Sequence, residues 1–67
     1  MTDIPTDRKT ILKELLARNE RDVVELKIRE KYLEERALKQ NSYQLELGAV
    51  QRQRREAEEW VEFLKKQ

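Results

Sequence analysis

The sequence contains no cysteine and no histidine, and it has only one glycine and one proline. Without cysteine it can form neither a disulfide nor a thiolate metal site, and without histidine it lacks the commonest metal ligand and general base. A single glycine is too few for a glycine-rich phosphate loop. These absences argue against an enzyme. We therefore expect no catalytic residue, no metal site and no cofactor.

The sequence also lacks a long apolar run and an excess of charge of one sign. Its longest apolar run is residues 15–17, far too short for a signal peptide or a membrane-spanning helix. Fifteen basic and fourteen acidic residues leave a net charge of +1. This balance does not favour a nucleic acid or a charged membrane as the partner. We expect a soluble, cytoplasmic protein that does not bind a membrane.

The sequence does contain a repeat of seven residues. Its members are Leu12, Asn19, Leu26, Leu33, Gln40, Leu47, Arg54 and Val61. Seven residues are two turns of a slightly underwound helix, so the repeat predicts one seam that another helix must cover. Charged residues make up 43% of the chain, which suits long helices with solvated flanks.

The seam changes its pattern near residues 40–42. Before that point the companion of each repeat position lies four residues later, and after it three residues later. Asn41 and Ser42 favour caps and turns. The sequence therefore predicts an all-α helical hairpin with coiled-coil-like packing: a flexible lead-in over 1–6, then one domain over 7–67 with a helix at about 8–39 (from 7 with its cap), a turn at 40–42 and a helix at 43–66.

Two other arrangements remain open from the sequence. One is a single continuous coiled-coil helix, in which residues 40–42 mark only a phase slip. The other has three helices, because Asp22 and Glu25 form a capping box that could break the first helix near 19–22.

Each predicted helix also carries a second, thinner apolar line. The first helix has Val24, Ile28 and Tyr32, and the second has Leu45, Ala49, Trp60 and Phe63. A helix with two apolar lines needs two neighbours, so we expect two hairpins to form a dimeric four-helix bundle. The predicted self-association seam comprises Leu12, Leu16, Val23, Leu26, Leu33, Ala37, Tyr43, Leu47, Val50, Ala57, Val61 and Leu64.

Four polar residues interrupt the seams. They are Asn19, Glu30, Gln40 and Arg54. Lone polar residues in a helical seam often fix register and oligomeric state at a cost in stability, although they also occur where a seam is open to water. Arg54 could meet Glu30 or Glu46. If Arg54 only sets the register, Arg54→Leu should raise thermal stability and blur the oligomeric state.

The sequence favours a non-enzymatic protein–protein interaction module, a homo-oligomeric scaffold, adaptor or inhibitor. Trp60, Phe63 and Leu45 are candidate partner-binding residues, because exposed aromatic residues often anchor interfaces. The alternative is a small dimeric nucleic-acid-associated regulator that uses the cluster Arg52, Arg54 and Arg55. These arginines point in different directions on a helix and are followed by glutamates, so the first interpretation is preferred.

Overall fold

The structure is a computed structural model that describes residues 7–67. Two helices form an antiparallel hairpin, α1 over Arg8–Lys39 and α2 over Gln44–Lys65, joined by a 3-10 turn over Asn41–Tyr43. The prediction of an all-helical hairpin is confirmed. The lead-in predicted for residues 1–6 lies outside the described residues. Within residues 7–67, neither helix is long and apolar enough to cross a membrane.

The structure decides against both alternative arrangements. The chain leaves helical geometry at Gln40, whose φ of −143° and ψ of 123° are those of extended backbone. A single continuous helix is therefore wrong. A break near 19–22 is also wrong, because α1 is continuous through those residues. The capping box at Asp22 does not interrupt it, since the seven-residue seam keeps its phase there.

Both ends of α1 follow from local chemistry. Asp7 is the N-cap: its carboxylate accepts hydrogen bonds from the Lys9 backbone N–H at 3.4 Å and from the Thr10 hydroxyl at 3.1 Å. Such caps satisfy donors that the first turn leaves without partners. At the other end the Gln40 N–H donates to the Arg36 carbonyl at 2.9 Å, and the chain then turns.

The core is a narrow strip between the two helices. Its six buried residues are Val23, Leu33, Ala37, Val50, Val61 and Leu64. All six belong to the seam derived from the sequence. The other six seam residues, all partly buried, are Leu12, Leu16, Leu26, Tyr43, Leu47 and Ala57. Within one chain, the seam thus lies where α1 meets α2; its role between two copies stays a prediction.

Candidate interaction surface

One polar cluster crosses the hairpin. The Arg54 guanidinium on α2 donates through Nε to the Glu30 carboxylate on α1, and through Nη1 to Glu58 Oε1 at 2.8 Å. The Glu30 side chain is 14% exposed and that of Arg54 is 24% exposed. Glu46, the other partner considered for Arg54, lies about two turns away on the same helix. The cluster therefore links the two helices at one defined position.

Hydrogen bonding shifts the pKa of two groups in this cluster, Arg54 and Glu58. The hydrogen bond to Glu58, followed by the one to Glu30, raises the pKa of Arg54 above its ordinary value. The same guanidinium lowers the pKa of Glu58, chiefly by its hydrogen bond. Both groups therefore stay charged at neutral pH, and neither is tuned for proton transfer. The cluster is suited to holding the two helices in register.

The other two polar seam residues have no partner of this kind in the described hairpin. The Asn19 side-chain amide, which is partly buried, donates to the Leu15 carbonyl of its own helix at 2.7 Å. Gln40 is exposed and forms the C-cap of α1. Asn19 is thus satisfied locally, and Gln40 marks where the helix ends.

The structure divides the arginine cluster considered for nucleic-acid binding. Arg52 and Arg55 are exposed, whereas Arg54 is directed toward α1 and bonded to two carboxylates. A phosphate-binding stripe needs several cations on one face. Only two of the three arginines remain on the surface, so the observed geometry does not favour this site.

Large apolar side chains remain on the outside of the hairpin. Those of the described residues are Ile11, Val24, Ile28, Tyr32, Leu38, Leu45, Trp60 and Phe63. They include the second apolar line of each helix apart from Ala49, which is smaller and also exposed. The hairpin therefore covers the main seam and leaves these second lines in water.

Trp60 and Phe63 form a single aromatic unit near the end of α2. Their rings are stacked, with centroids 5.6 Å apart and planes 13° apart. Trp60 is 44% exposed and Phe63 is 52% exposed. Leu45, the third predicted partner-binding residue, lies fifteen residues before Trp60 on the same helix, about 22 Å away. The structure does not bring Leu45 to the aromatic pair.

A groove of about 700 Å³ runs between the helices beside this pair. Buried Val23 and Val61 form its floor, while exposed Val24 and Phe63 lie at its edges. The sequence did not reveal this groove, because Val24 and Phe63 belong to apolar lines on different helices. Only the way the two helices pack shows that both lines reach the same groove.

Nothing in the described residues assembles a metal site, since no group of three or more carboxylates there is placed to hold a metal ion. Comparison of the chain with protein-family models, curated proteins and solved structures finds no match. The surface geometry is therefore the basis for a functional assignment.

Proposed function

We propose that this protein is a non-enzymatic protein–protein interaction module. It is a helical hairpin that self-associates, with a dimer favoured, and offers a helical surface to a protein partner as a scaffold, adaptor or inhibitor. The observation that carries this proposal is the set of eight large apolar side chains left exposed in the described part of the hairpin. Two of them, Val24 and Phe63, line one groove, and clustered exposed apolar surface commonly marks an interaction site.

The thin core supports association. None of the six buried residues is less than 3% exposed. A single core in a chain of this length rarely provides more than about 3–5 kcal/mol, and small domains usually need a disulfide, a metal or association in addition. Disulfides are excluded because the sequence has no cysteine. Packing two hairpins into a four-helix bundle would give each helix the second neighbour that its second apolar line requires.

Solution mass and helix content across a dilution series test the proposal. We expect sedimentation to give the mass of two copies at about 100 µM and of one copy after dilution to the low micromolar range, with helix content by circular dichroism falling in parallel. Association then supplies part of the folding free energy. A fully helical single copy at the highest concentration would contradict self-association.

A further inference from the structure

The chain exposes more surface than a compact protein of its mass. Its accessible surface is 6005 Å² for 8.2 kDa. A folded monomer of that mass is expected to expose about 4500 Å². The excess is about 1500 Å², and the radius of gyration of 16.1 Å agrees with an elongated molecule, since a compact chain of this length would have about 11 Å.

Residues 1–6 cannot account for all of this excess. If those six residues contributed as much area as a fully extended chain, they would account for about 950 Å². The rest of the chain would still expose about 800 Å² more than a compact protein of its mass. A standard interface buries about 800 Å² on each partner. One standard interface per copy would therefore reduce the accessible surface of the described hairpin to that of a compact protein of its mass.

The groove beside Phe63 has the composition of a self-complementary surface. Its lining contains four basic and four acidic side chains around the apolar residues. Among them, Lys27 and Glu20 lie on α1, and Arg55 and Glu62 lie on α2. A strongly acidic or basic partner would meet as many like charges as opposite ones. A second copy related by two-fold symmetry can instead place each cation of one groove against a carboxylate of the other.

We propose that a second copy of this chain docks on this groove in a two-fold contact. The apolar edges formed by Val24 and Phe63 in each copy pack against the same edges of the partner, and the mixed charges surround them. A two-fold contact requires one patch that is complementary to itself, and this groove combines buried apolar residues at its floor with exposed apolar residues at its edges. The assignment rests on the proposed self-association and adds the surface that performs it.

Matched substitutions on α1 test the groove. Val24 and Leu38 are exposed apolar residues of α1, 55% and 88% exposed, about 21 Å apart along the helix. Only Val24 lines the groove, and Leu38 does not belong to the second apolar line. We expect Val24→Glu and Phe63→Glu each to raise the dimer dissociation constant at least about tenfold, because each buries an unpaired carboxylate in the contact. Leu38→Glu should leave the constant within about threefold of wild type. Sedimentation equilibrium measures all three.

Because the chain has no cysteine, a cross-linking experiment checks the same surface without a buried charge. A short bis-maleimide should join two Val24→Cys chains much faster than two Leu38→Cys chains at a concentration where wild type is dimeric. This comparison holds even if the glutamate variants lose helix content on dissociation.

The outcomes separate the two proposals. A wild-type chain that stays a single copy at the highest concentration overturns self-association and, with it, the groove. A dimeric wild type whose Val24→Glu and Phe63→Glu variants dimerise equally well overturns only the groove. Equal weakening by Leu38→Glu, or equal cross-linking at position 38, overturns it too and places the contact elsewhere on the hairpin.

Discussion

Gly48 shows how one residue can weaken a helix without an evident structural role. It lies in the interior of α2, and a Cβ placed there would meet no other atom within 4 Å. Its φ is not positive, so no special backbone conformation requires glycine. A lone glycine in a helical pattern often marks a close backbone approach or a helix end. The structure shows neither. Gly48 therefore lowers the stability of α2, and no contact in the hairpin compensates for it.

Gly48→Ala should therefore stabilise the protein. The free energy of unfolding should rise by about 1 kcal/mol, because alanine loses less backbone conformational entropy than glycine when the helix forms. For a domain of this size that raises Tm by about 4–8 °C at fixed protein concentration. The exposed neighbour Ala49 provides the control, since Ala49→Gly should lower Tm by a similar amount. An unchanged Tm for Gly48→Ala would show that the glycine serves a contact made outside the single hairpin.

Arg54 is a residue for which the structure changes the expected sign of a substitution. Arg54→Leu should lower Tm, because it leaves the Glu30 carboxylate partly buried without its cation. The double variant Arg54→Leu with Glu30→Leu should recover or exceed the wild-type Tm, since replacing both charges with apolar groups is often neutral or stabilising. Thermal unfolding of the four variants of this double-mutant cycle measures the coupling between the two residues.

Glu58→Gln is the matched control for this cycle. Glu58 also accepts a hydrogen bond from Arg54, but its side chain is 40% exposed and lies on the same helix. Exposed pairs of this spacing contribute little to stability. Equal losses of Tm in Glu58→Gln and Arg54→Leu would contradict a special role for the contact between the helices. Sedimentation of the double variant then tests whether the polar cluster also fixes the oligomeric state.

At the scale of the helices, most of the helix boundaries can be predicted from the sequence. Asp7 supplies a capping carboxylate, and the change in seam pattern at Gln40 places the turn, because both signals are local in the chain. The ion pairs are less predictable. Glu25 pairs with Arg21 at 3.6 Å, whereas the sequence pattern favours Arg29, which follows the glutamate in the better order. Exposed pairs differ by too little energy for spacing to choose between them.

What the sequence could not provide is the relative rotation of the two helices. The period of each helix shows that Val24 and Phe63 are off the main seam. Whether they share a groove depends on how α1 and α2 rotate against each other, which is set by the fit of the whole core. The candidate contact surface is therefore a property of the packed hairpin, although each of its residues is visible as an apolar position in the sequence.

At the scale of the whole molecule, the path of the chain distinguishes a hairpin from an extended helix. Glu20 on α1 and Glu62 on α2 line the same groove, so labels on both should lie about 10–25 Å apart, given the usual spacing of packed helices. In one continuous helix the same 42-residue separation would span about 63 Å. The distance between these two labels therefore differs by tens of ångströms between the hairpin and the continuous helix.

Spin labels on Glu20→Cys with Glu62→Cys measure this distance directly. The chain has no other thiol, so only these two positions are labelled. We expect one short distance that persists when labelled chains are mixed with a large excess of unlabelled chains, because both labels then belong to the same hairpin. If two chains instead exchanged helices through an opened turn, the short distance would vanish on mixing and one near 60 Å would remain. That result would place the Arg54–Glu30 contact between copies and make folding and dimerisation one event.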